Sequence, residues 1–232
     1  MAAAAAEARE AIDLLLAHRV LRRQSVAVSA ESALRGARAS AALDGADVEL
    51  ADVRRGDGGP VVQGALRVGA EAGPLSAIWG RAPGQVLARL HVLAARDLAP
   101  PELLGRPATG PEVVVRLQSL SAMLTGGTAA PAVVVAAVVH GELLTLAPFA
   151  AGNGVVARAA SRLTLIARGL DPKAVSVPEA GHAELAGEYL AAAAGYASGE
   201  RAGVAGWVRH CCAAVVLGAR EGLAICEAIA RG

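Results

Sequence analysis

Apolar residues recur along this chain at spacings of three and four, the period of a helix with one buried face, and glycine or proline interrupts them at short intervals. The first run predicts a helix over residues 7–23, with Ile12, Leu15, Leu16, Val20 and Leu21 inward. Its basic end, His18, Arg19, Arg22 and Arg23, is accounted for by the favourable field at a helix C-terminus. A second helix is expected from Ser29 to Asp44-Gly45, because glycine readily takes the left-handed conformation that ends helices. Arg54 to Gly59 reads as a turn, and Pro60 suits the first position of a helix reaching Ala72. Further helices are expected over Pro83 to Ala95 and Pro111 to Leu124, around a loop containing Pro100, Pro101, Gly105, Pro107 and Gly110.

Pro131 opens the next segment, Ala132 to Leu146, which is apolar around nearly its whole circumference and is expected to be buried on all sides. Asp171-Pro172 stops a later helix, and Lys173 to Gly181 reads as a connecting loop. Residues 182–197 then form a helix with Leu185, Tyr189, Leu190 and Ala193 inward and His182 at the surface or capping its start. Val204, Trp207, Val208, Cys211 and Val215 place a last helix against the core. The pattern predicts an all-α, single-domain bundle around a central buried helix. Residues 1–28 form an N-terminal helical arm, 29–170 a core that carries the candidate site, and 171–232 the C-terminal helices.

Composition narrows the chemistry. Phe149 is the only phenylalanine of 232 residues and Lys173 the only lysine, so the core is built from small aliphatic side chains and the cations are arginines. A net charge of +1 and 2% aromatic residues offer neither a field for nucleic acid nor a platform for stacked bases. The longest apolar run, Ala129 to Val139, is about half the roughly 20 residues of a membrane crossing. With Glu7, Arg9, Glu10 and Asp13 ahead of the first apolar run, no secretory signal is expected, and a cytoplasmic protein fits. Cys211, Cys212 and Cys226 are an odd set and are expected to be reduced core thiols. The triplet His210-Cys211-Cys212 is not expected to hold a metal, since neighbours on a helix point about 100° apart.

The candidate chemistry lies at Ala147 to Leu170. A Pro-Phe turn is followed by Gly152-Asn153-Gly154 and then by a helix carrying Arg158 and Arg162. Glycines on both sides of Asn153 free the backbone to turn its N–H groups one way, and the first turn of the next helix adds unpaired donors. Such an arrangement is an oxyanion cradle.

Pro148, Phe149, Gly152, Asn153, Gly154 and Arg158 resemble, without a gap, the signature His-Pro-Phe-x-(Asp/Glu)-Gly-Asn-Gly-Arg-x-x-Arg of the Fic family of nucleotidyl transferases. Three positions depart from it. Ala147 stands at the catalytic histidine, Ala151 at the acidic residue that holds Mg²⁺, and Val155 at the first arginine. Ser40-Ala-Ala-Leu-Asp44-Gly45 is similar to the family's inhibitory motif, (Ser/Thr)-x-x-x-Glu-(Gly/Asn), and the resemblance implies a pair between Asp44 and Arg158. Aspartate is one methylene short, so a direct contact and a water-bridged one both remain open. Leu90-His91 and Gly105-Arg106 look like two further family elements that precede the signature, although His91 also suits a core or capping role.

In the family's reaction a target hydroxyl attacks the α-phosphate of ATP and AMP passes to protein. Without the base and the metal ligand, transfer is not expected here. His140 is two turns from Ala147, about 10 Å along the axis, which is too far to act as the base. His91, His182 and His210 could reach the site only by folding. The resemblance implies the fold, and the departures from it argue for a catalytically silent protein with no metal site at Ala151. Gly152, Asn153, Gly154 and Arg158 would remain as a phosphate or nucleotide loop that takes ATP or another phosphate ligand without strong Mg²⁺ dependence. Its partner would be a protein or a small phosphate-bearing ligand, neither nucleic acid nor membrane, and self-association is left open. The alternatives are an AMP transferase with a base supplied from elsewhere, and a helical interaction module whose cleft Asp44 and Arg158 close.

Overall fold

A computed structural model describes residues 1–231. Twelve α-helices and two short 3-10 turns make up the described chain, and no strand occurs among the described residues. The central segment is α8, Ala132–Leu146, opened by Pro131 and ended by Ala147 in the left-handed conformation (φ 44°). It separates two apolar clusters. Val133, Ala136 and Ala137 face one, with the N-terminal helix α1 (Ala2–Leu16) and the long α12 (Arg201–Arg231). Val139 and Leu143 face the other, with α4 (Gly59–Ala70), α6 (Pro83–Ala95) and α9 (Asn153–Ala167). A methyl group on Gly141 would come within 2.7 Å of the Trp207 Nε1 atom, so this glycine is what lets α12 approach α8.

The expected all-α architecture and the buried central helix are present. Several boundaries differ. The first helix ends at Leu16 rather than at residue 23, because His18 is extended and its Nδ1 accepts a hydrogen bond from the Val20 N–H (3.4 Å). Arg19 and Arg22 therefore belong to a separate 3-10 turn, and the field of α1 does not explain them. Helix α2 runs Ser25–Leu43, one turn earlier than expected, and stops at Asp44 with Gly45 at φ 87°. Short helices α3 (Leu50–Arg55) and α5 (Ala72–Trp79) occupy stretches where the pattern predicts none. Helix α7 (Pro111–Gly126) agrees with its proline start.

The C-terminal third needs the largest correction. Residues 182–197 are not one helix: Pro178 opens α10 (Pro178–Glu184), and Leu185 separates it from α11 (Ala186–Ala197). Glu179, on the first turn of α10, is buried in an ion pair with Arg162, and His182, one turn later, is buried in the core instead of at the surface. Tyr189 and Ala193 are buried as expected, whereas Leu190 is 72% exposed.

Candidate functional site

The site forms where α2, α8 and α9 meet. Between α8 and α9 the chain turns through Pro148 to Gly152, with Gly152 at φ 68°. Asn153 closes that turn: its Oδ1 accepts from the Phe149 N–H (2.9 Å) and its Nδ2 donates to the Phe149 carbonyl (2.7 Å). The asparagine side chain is therefore a brace, and the donors left for an anion are the amides of the first turn of α9. A loop from the other side is tied on, because the Ala108 N–H donates to the Pro148 carbonyl (2.8 Å).

His91 lies beneath this turn. Its ring stacks on Phe149 (4.2 Å between centroids), and its Nδ1 accepts from the Gly105 N–H (2.9 Å). The two short elements Leu90-His91 and Gly105-Arg106 are thus joined by a hydrogen bond. Burial lowers the His91 pKa, with the Ala151 carbonyl opposing, so the ring is neutral and enclosed.

Arg158 sits one turn into α9 and is 2% exposed. Its Nε donates to Ser40 Oγ (2.8 Å), its Nη2 to the Ser40 carbonyl (2.8 Å) and Asp44 Oδ1 (2.7 Å), and its Nη1 to the Tyr189 hydroxyl (3.3 Å). The contact with Asp44 is direct, despite the shorter side chain. Burial disfavours the guanidinium charge, but the Tyr189 oxygen and Asp44 outweigh it and hold the pKa above the ordinary arginine value. The Asp44 carboxylate also rests on Gly154, where any methyl group would collide with it. It therefore stands against the first turn of α9, the place where a helix field favours a negative group. Gly45 follows as the helix stop and touches nothing at its Cα face.

Tyr189 is the participant that the sequence pattern does not reveal as such. Its inward position is legible from spacing, but its hydroxyl serves both Arg158 and His140, whose Nε2 lies 2.7 Å away. Burial pushes the Tyr189 pKa up to about 12 even though Arg158 opposes. Burial, with His182, Arg158 and His210 adding to it, holds the His140 pKa well below the usual histidine value. His140, His182 and His210 are all buried; His182 pairs with His210, and Tyr189 joins His140 to Arg158.

Residues 147–158 contain no carboxylate side chain that could hold Mg²⁺. Mg²⁺ needs carboxylate oxygens in near-octahedral order. The side chains of Ala147, Ala151 and Val155 offer no donor atom, and the carboxylate packed on Gly154 is already engaged by Arg158. Among the described residues, the one group of three or more His, Cys, Asp or Glu side chains with converging donor atoms is His140, His182 and Cys211, away from this turn.

No family model matches the chain, and no curated protein matches it in sequence. Solved structures do resemble it in shape. A Fic family protein from Desulfovibrio desulfuricans G20 superposes with a TM-score of 0.74 at 21% identity, over 95% of this chain and 74% of that one. Fic-1 (residues 134–508) from C. elegans superposes at 0.73 with 19% identity, over 95% and 69%. No described helix is long and apolar enough to cross a membrane. With a buried central helix, a Gly-Asn-Gly turn at its end and an arginine one turn beyond, the chain has the fold of Fic family proteins.

Proposed function

We propose that this protein is a catalytically silent Fic-fold interaction module in which the Asp44 carboxylate holds the position a phosphate would take. One observation carries the reading: every nitrogen of the Arg158 guanidinium is hydrogen bonded within the protein, and the group is sealed from solvent. A phosphate and the Asp44 carboxylate would compete for the same donors and the same helix field. The missing base is worth about 10² to 10⁴ in rate, and the missing metal ligand removes the usual means of neutralising phosphate charge. Incubation with labelled ATP and a cell lysate is expected to label no protein. Transfer of AMP by the wild-type chain would overturn the proposal.

A conditional phosphate-binding role at Gly152, Asn153, Gly154 and Arg158 is favoured by a separate feature. Asp44 keeps 24% of its side chain exposed, and it ends a helix beside a glycine, so it can be withdrawn without unravelling α2. In that case ATP or ADP binds weakly to the wild-type protein, with little response to Mg²⁺, because no ligand for the ion stands at Ala151. Strong Mg²⁺ dependence in a calorimetric titration would contradict this.

A further inference from the structure

Behind Arg158, three helices bring together side chains that no motif connects. His140 of α8, His182 of α10 and Cys211 of α12 each present a ligand atom, and these atoms lie within 4.8 Å of one another. All three residues are buried. Adjacent residues on one helix cannot converge on an ion, but single residues from three helices can.

The hydrogen bonds around the two histidines fit ligation. The His140 Nε2 is paired with the Tyr189 hydroxyl (2.7 Å), and its Nδ1 is buried without a partner. The His182 Nδ1 is paired with His210 Nε2 (3.1 Å), which leaves Nε2 as its other donor. A histidine that binds a metal ordinarily has its second ring nitrogen fixed by an outer partner, a role that Tyr189 on His140 Nε2 and His210 on His182 Nδ1 would fill. An unpartnered, fully buried imidazole nitrogen is otherwise costly to leave.

We propose that His140, His182 and Cys211 form a three-coordinate site for a soft d¹⁰ cation, and that copper(I) is the ion it takes. Two imidazoles and a thiolate suit both copper(I) and zinc(II). The balance of charge separates them. On binding, Cys211 releases its thiol proton to solvent and its sulfur bonds the ion, with no change of oxidation state. Copper(I) with one thiolate is then neutral. Zinc(II) would leave a net positive charge in the core beside Arg158, whose charge is felt at both histidines. Structural zinc is also almost always four-coordinate, and three residues converge here.

The test is a titration of the full-length reduced protein with copper(I), in anaerobic competition with a chromophoric chelator. One copper per chain is expected, with sulfur-to-copper absorption in the ultraviolet. Cys211→Ser and His182→Ala should each weaken binding by at least the ~100-fold that loss of outer partners can reach. Cys212→Ser and Cys226→Ser should not. Because a core variant can fail to fold, X-ray absorption at the copper edge of the wild-type protein provides a second reading, with one sulfur and two nitrogen neighbours expected. No binding, binding unchanged in Cys211→Ser, or a copper shell made only of sulfur would overturn the site. Zinc(II) binding as tight as copper(I) would overturn the choice of ion.

Discussion

Arg158 and Arg162 stand one turn apart on α9, both buried and both paired with a carboxylate, yet their surroundings differ. Arg162 donates to Glu179 Oε2 (2.9 Å), Ser32 Oγ (2.8 Å) and the carbonyls of Ala174 (3.1 Å) and Ser176 (2.9 Å). Both charged groups of that pair are more than nine-tenths buried, and Asp171 fixes the same loop through the Val175 and Ser176 N–H groups and the Ser176 hydroxyl. Arg158 is equally buried, but its carboxylate comes from the partly exposed end of α2. Arg162 clamps α2, α9 and α10 together. Arg158 is instead covered by a single, partly exposed carboxylate.

The largest effect is expected at the clamp. Glu179→Ala leaves the Arg162 guanidinium buried without its counter-charge and should destabilise the fold by about 3–5 kcal/mol in urea unfolding. Asp44→Ala removes a partner that water can replace from the exposed side, and should cost about 1–3 kcal/mol. If the two losses were equal, the distinction between clamp and plug would fail.

The turn above the seat adds a pH dependence. His91 is neutral and buried in the fold, with its pKa lowered, so below its unfolded value of about 6.5 the unfolded chain binds the extra proton. Its contribution is fully present above that pH and is lost as the pH falls through the folded value, with a limiting slope of about 1.4 kcal/mol per pH unit. Urea midpoints between pH 8 and 5 should fall more steeply for the wild type than for His91→Gln. Identical profiles would show that the ring is charged in the fold or reachable by water.

The smallest expected effect is that of Ala147→His. Restoring an imidazole at the end of α8 does nothing for Ala151, and Asp44 still covers Arg158, so labelled ATP should give no more transfer than background. Robust labelling by this single variant would show that the base alone was missing.

The helices that proline opens, at Pro83, Pro111 and Pro131, were readable because the residue itself fixes the backbone there. The same signal at Pro178 marks α10, but the surrounding residues also suit a loop, and it is the buried Glu179 that decides. Helices α3 and α5 are too short to be stable alone and exist through packing, so local pattern does not reveal them. The contact between Asp44 and Arg158, 114 residues apart, was legible only because two motifs with fixed spacing carry it. Tyr189 has no such motif. Its inward face follows from helical period, but which groups its hydroxyl meets depends on how α11 packs against α8 and α12. The meeting of His140, His182 and Cys211 was hidden for the same reason.

The most direct measurement is a calorimetric titration of ADP, without Mg²⁺, into the wild-type protein and into Asp44→Ala. If the carboxylate occupies the oxyanion seat, the wild type binds weakly or not at all, and the variant gains at least about tenfold in affinity, the equivalent of one charge-assisted hydrogen bond of about 1.4 kcal/mol. Tight binding by the wild type, or no gain in the variant, would contradict the account.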